Sequence, residues 1–210
     1  MNSVQEMSIL ERKSRQKESL RQEILDAAGD LFVRQGYESV SMRKIADKVE
    51  YAPGTIYLYF KDKAEIMDTL CHQTFEKLRQ RLDAIRHDPG DPVEALRRGL
   101  RAYIQFGLDN PNQYIVTFVV AKSQAEVAKK SGAGPGMACF DCLRSIVREC
   151  LESGHINGGT VDETAQALWA AIHGVTALLV SNCGFPFIEQ SRLIERLLDI
   201  LIKGVRTDKK

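Results

Sequence analysis

Between Ser41 and Lys63 the chain places five basic residues, Arg43, Lys44, Lys48, Lys61 and Lys63, against three acidic ones, Asp47, Glu50 and Asp62. So small an excess acts on a polyanion only if one face displays it. Arg43, Lys63 and the hydroxyls of Thr55 and Tyr57 are suited to phosphate oxygens, as are the backbone amides of a helix opening near Pro53, where partial positive charge gathers. Other chemistry finds no such grouping. His72, His87, His155 and His173 lack the HExxH spacing, and Gly132, Gly134 and Gly136 follow no strand that would make them a phosphate loop. No nucleophile is paired with a base, so the chain reads as no enzyme, with no catalytic residue, metal or cofactor assigned. Cys139, Cys142 and Cys150 share one side if they lie on a helix. A thiol- or metal-responsive site therefore stays open, although structural zinc needs a second ligand pair and cysteine is also a common small core residue.

The elements that position these groups are helical throughout. Ile24, Leu25, Ala28, Leu31 and Phe32 repeat at three and four residues and predict a helix from about 18 to 35, ended by Gly36. Ser41 caps a short helix with Ile45, Ala46 and Val49 on one face, and Pro53 opens a third with Ile56 and Phe60. Asp62 and Glu65 start a long helix lined by Ile66, Leu70, Phe75, Leu78, Leu82 and Ile85. The run from His87 to Pro92 breaks the pattern and marks a domain boundary. Further helices begin at Asp91, at Asn110, near 137 (after a loop from Ser131 to Gly136) and at the capping box of Thr160 and Glu163, with a last one carrying Ile188, Leu193, Leu197, Leu201 and Val205.

The 210 residues carry a net charge of +1 and 44% hydrophobic content, enough for a sizeable core. An odd set of five cysteines and a polar, charged start point to a reducing, cytoplasmic setting. The stretch from Thr164 to Ile188 lacks charge, but Gln166, His173, Asn182, Gly184 and Pro186 interrupt it, so it reads as a buried or interfacial helix and no membrane contact is expected. Arg12, Lys13, Arg15, Lys17 and Arg21, offset by Glu18, form a basic arm. It suits either phosphate or minor-groove contact, or a solvated, partly disordered extension.

Two short helices with a tight turn between them, and a small residue (Ala46) where they pack, present a recognition helix to the major groove. The segment SMRKIADKVEYAPGTIYLYFKDK, Ser41 to Lys63, with LFVRQGYESVS before it, resembles the helix-turn-helix of the tetracycline-repressor (TetR) family. Glu50 stands where that family usually has a turn glycine and Ala52 where it usually has a capping serine. The resemblance implies that the recognition helix reads bases through Pro53, Gly54 and Thr55, with Tyr59 reaching further, and that Ser41, Arg43, Tyr57 and Lys63 join the contact with double-stranded operator DNA.

It implies an all-α fold of about nine helices: an arm at 1–17, a DNA-binding domain at 18–64, a connecting helix at 65–88 and an effector-binding and dimerisation domain at 89–206. A small-molecule effector would enter among the helices from Val93 to about Val180, and the last two helices would pair two copies. Candidate pocket residues are Tyr103, Phe106, Tyr114, Phe118, Phe140, Trp169 and His173, since such sites are mostly apolar with a few polar groups. Trp169, His173 and Gly174 also resemble a tryptophan-histidine-glycine pattern of one group of these domains. An apolar or aromatic effector is expected, and a repressor rather than an activator. Each pocket candidate can equally be plain core, and the departures at Glu50 and Ala52 leave open a helical interaction protein with a decayed DNA-binding module.

Overall fold

The computed structural model describes residues 2–87, 90–120, 134–157 and 159–207, with side chains from residue 11 onward. Among them are nine α-helices, one π-helical turn and no strand: α1 Asn2–Gln35, α2 Met42–Lys48, α3 Pro53–Tyr57, α4 Lys63–Arg86, α5 Pro92–Asp109, α6 Pro111–Ile115, the π turn Val116–Val120, α7 Pro135–Glu152, α8 Val161–Val180 and α9 Gln190–Val205. The chain divides into two compact units, Met1–Cys71 with Val116–Ser123, and His72–Ile115 with Gln124–Lys210.

In the first unit the predicted stripe of α1 is the core. Ile24, Leu25, Ala28 and Phe32 meet Ile45 and Ala46 of α2, Ile56 and Phe60 beside α3, and Ile66 and Leu70 of α4, with Val116 from the π turn closing the cluster. Apolar burial of this kind stabilises by about 25 cal/mol for each Å² removed from water. Helix ends form where local chemistry predicts. Ser41 Oγ accepts from the Lys44 amide at 3.3 Å, Asp62 Oδ1 from the Glu65 amide at 2.9 Å, and Gly36 leaves α1 at φ 78°. α1 is much longer than its apolar stripe, because residues 2–17 continue it instead of forming a separate arm.

In the second unit α5 is the central helix, its Leu96, Leu100 and Ile104 buried against α7, α8 and α9. Arg97 reaches Glu195 at 3.0 Å and Asp199 at 2.8 Å, and Arg101 also pairs with Glu195, which clamps α9 to α5. Thr160 and Glu163 complete their reciprocal capping box on α8. The buried row of α9 is Ile194, Leu198 and Ile202. It lies one residue on from the predicted Leu193, Leu197 and Leu201, which stay half-buried.

Candidate functional site

Ala46, fully buried, leaves room for α3 to pack beside α2, and Ile56 and Phe60 anchor α3 from its inner side. The remaining residues of α3 face outward. Pro53 and Gly54 are exposed, Thr55 is half-buried, and Tyr57 is 55% and the following Leu58 79% exposed. Tyr59, by contrast, packs against the core. The two tyrosines thus part company, with Tyr57 available to a partner and Tyr59 largely committed to the fold. Tyr51 and Leu58, large apolar groups exposed on either side of α3, were not singled out by sequence; their signal was that both fall off the apolar face of Ile56 and Phe60.

The turn between α2 and α3 passes through Glu50 at φ 59°, where a side chain costs about 1 kcal/mol relative to glycine. Ala52 provides no side-chain cap to α3. Pro53 has no N–H and the Thr55 amide donates to the Ala52 carbonyl at 2.8 Å, which leaves the Gly54 amide of the first turn for an anion. Arg43 is exposed on α2 beside the cap residue Ser41. Lys63 is held instead: its ammonium donates to the Tyr37 carbonyl at 3.0 Å and sits 4.2 Å over the Tyr37 ring. An ammonium has three N–H donors, so this contact leaves capacity for a phosphate.

The second unit gathers five of the seven pocket candidates. The His173 ring nitrogen Nδ1 lies 2.9 Å from the Tyr103 hydroxyl and 2.6 Å from that of Tyr114. An unprotonated Nδ1 has a single lone pair, so it accepts from one of the two phenols at a time. Trp169 stacks on His173 with centroids 5.2 Å apart, and Phe140 meets Trp169 edge-on at 6.2 Å. Tyr103 and Tyr114 are buried, whereas Phe140, Trp169 and His173 are half-buried, so the cluster runs from the interior towards the surface. Desolvation pushes the Tyr114 hydroxyl up to about 12 and the Tyr103 hydroxyl upward as well, so both stay protonated at neutral pH. Phe106 is buried under the Arg81 guanidinium, 5.3 Å from its ring. Phe118 lies on the π turn, in the first unit.

Cys139, Cys142 and Cys150 are all buried on α7. Burial pushes the thiols of Cys139 and Cys150 up to about 12 and that of Cys142 upward too. Such thiols are poor nucleophiles near neutrality. Among the described residues no group of three or more His, Cys, Asp or Glu side chains could hold a metal ion, and no helix is long and apolar enough to cross a membrane.

The model for bacterial regulatory proteins of the tetR family matches residues 24–70, and that for the tetracyclin repressor-like C-terminal domain matches residues 96–201. The chain belongs to the TetR family. As a TetR protein it is a helix-turn-helix DNA-binding transcriptional regulator. The fatty acid metabolism regulator protein of Bacillus subtilis is 25% identical over 91% of this chain and 98% of its own length. The crystal structure of FadR from Bacillus subtilis in complex with stearoyl-CoA superposes with a TM-score of 0.75 at 25% identity, over 88% of this chain and 99% of that one. The fatty acid degradation regulator FadR of Bacillus halodurans shares the fold, with a TM-score of 0.76 at 21% identity over 89% of this chain and 96% of that one. These relatives are named as regulators.

Proposed function

We propose that this TetR protein is a cytoplasmic, homodimeric repressor that holds its operator through α2 and α3 and releases it when an acyl thioester enters the Tyr103–Tyr114–His173 cluster. The observation that supports DNA reading by α3 is its division of labour: Ile56 is fully buried while Pro53, Gly54 and Tyr57 stay outside. In this reading Ser41, Arg43, Thr55, Tyr57, Lys63 and the Gly54 amide take phosphates, and the short side chains from Pro53 to Thr55 approach base edges. Tyr59 positions α3 from behind. Residues 18–64 are the DNA-binding domain, 65–88 the connecting helix and 89–206 the effector-binding and dimerisation domain.

The effector class follows from the cluster's chemistry. Its polar groups are two protonated phenols and an imidazole, bordered by Trp169 and Phe140. Since His173 Nδ1 can take only one of the two phenols, the other can turn to a neutral acceptor such as a thioester carbonyl on an apolar chain, and the cluster offers a free carboxylate no fixed cation. The stearoyl-CoA bound by the Bacillus subtilis relative has that chemistry. Dimerisation falls to α8 and α9, where Leu178 and Ile200 are exposed and Leu193, Leu197 and Leu201 half-buried, an apolar surface suited to a second copy.

Calorimetric titration with stearoyl-CoA and with stearate tests the effector reading. The thioester should bind and free the protein from its operator, stearate should not, and Tyr114→Phe should weaken thioester binding about tenfold through one lost hydrogen bond. Equal binding of both ligands, or of neither, overturns it.

A further inference from the structure

On α1 the residues Lys13, Lys17, Arg21, Leu25, Ala28 and Phe32 follow one another at strides of four and three, so they share one side of the helix. The last three are buried in the core of the first unit. The first two are therefore on the side of α1 that faces the other helices of that unit, carried past the end of its core and fully exposed. Arg21 marks the transition: half-buried, its guanidinium sits 4.9 Å over the ring of Phe60, the residue that ends the recognition segment. Arg12 and Arg15 lie on the opposite side of the helix, while Glu18, three residues before Arg21, borders the end of the row. Among the described residues neither Lys13 nor Lys17 makes an ion pair. Like charges four apart cost a helix about 0.2–0.5 kcal/mol, a cost that a bound polyanion offsets.

We infer that the row Lys13, Lys17 and Arg21 is a second phosphate-binding surface, which grips the duplex backbone beside the base pairs that α3 reads. The inference rests on the DNA-binding reading above and extends it. The row spans about 12 Å of helix, and a duplex presents one charge for each ~1.7 Å of its axis, so two lysines meet phosphates without base contact. They add affinity and salt dependence and no sequence preference.

The test compares the full-length protein with the double variant Lys13→Gln, Lys17→Gln, both titrated against upstream DNA and scrambled DNA at several salt concentrations. Glutamine keeps the helix, which far-UV circular dichroism checks. Because each copy in the dimer loses two lysines, the double variant should lose about 3.6 from the slope of log affinity against log salt, so that the wild-type advantage shrinks about a hundredfold between 50 and 200 mM. The loss should be equal on both DNAs, and Lys13→Arg, Lys17→Arg should restore it. The pair Arg12→Gln, Arg15→Gln, off the row, should leave the slope unchanged. Selective wild-type binding with an unaltered slope in the lysine double variant overturns the row alone, as does an equal loss from the Arg12 and Arg15 pair. Failure of the wild type to prefer its upstream DNA overturns the DNA-reading model itself.

Discussion

Gly107 on α5 permits a close approach that alanine would prevent. A Cβ there would stand 2.3 Å from Thr176 Cγ2 on α8, and 3.0 and 3.2 Å from two ring carbons of Tyr114. Carbon contacts are optimal at about 3.5–4.0 Å, so α5 and α8 would have to separate by roughly 1 Å, or Tyr114 would have to leave His173. Overpacking of this kind costs about 1–3 kcal/mol, and alanine's better helix propensity offsets about 0.5–1 of it. The expected net loss of about 1–2 kcal/mol lowers Tm by roughly 2–8 °C, measured by calorimetry at fixed protein concentration. Thr176→Ser removes the offending methyl and keeps the hydroxyl that donates to the Ile172 carbonyl at 2.7 Å. It should therefore recover part of the loss when combined with Gly107→Ala. Gly99→Ala is the control on the same helix, because its Cβ would find only Ile146 Cδ1 at an ordinary 3.6 Å; it should leave Tm unchanged or raise it. An unchanged Tm in Gly107→Ala, or no recovery in the double variant, would refute the packing argument.

Other perturbations should separate the remaining roles. Glu50→Gly relieves a left-handed backbone at φ 59° and should stabilise by about 1 kcal/mol in thermal unfolding; a lower Tm would show that the Glu50 side chain matters more than its backbone. Tyr57→Ala should weaken operator binding with Tm unchanged, whereas Tyr59→Ala should lower Tm, and the reverse pattern would exchange their roles. Ile200→Glu, at a position exposed in the single chain, should give folded monomers in sedimentation, and an intact dimer would place the interface elsewhere. With a thiol reagent near pH 7, Cys183 should react at once and Cys139 and Cys150 only on unfolding. The folded thiols of those two are raised from 9.0 to about 12, so the folded form keeps its protons longer: their contribution to stability is complete below pH 9 and is lost as pH rises towards 12. Rapid modification of either at neutral pH, or flat stability across that window, would contradict it.

What sequence shows and what it hides divide by range. Ser41, Gly36 and the Thr160–Glu163 box could be placed because each acts on backbone within three or four residues. The left-handed turn at Glu50 was implied by the resemblance, which places a turn glycine at that position. The register of α9 could not be placed, since Leu193–Leu197–Leu201 and Ile194–Leu198–Ile202 are equally apolar rows, and which one turns inward is settled by packing against α5, almost a hundred residues away, where Arg97 and Arg101 also pair with α9. The helical continuation of α1 through its basic residues was hidden because periodicity marks buried faces, and that stretch buries none. Lys63 read as a free cation until the fold brought the Tyr37 carbonyl to it. Likewise Tyr103 and His173 stand 70 residues apart, and only the packing of α5 on α8 makes them one site. Phe118 follows Tyr114 by one helical turn in the sequence, but the π turn Val116–Val120 that carries it belongs to the first unit.

The most direct test of the central claim is binding of the purified protein to its own upstream DNA across a salt series, with scrambled DNA beside it and stearoyl-CoA added at the end. The account predicts tight, selective binding that weakens steeply with salt and is abolished by the thioester. Weak binding that is equal on both DNAs and indifferent to the thioester would contradict it.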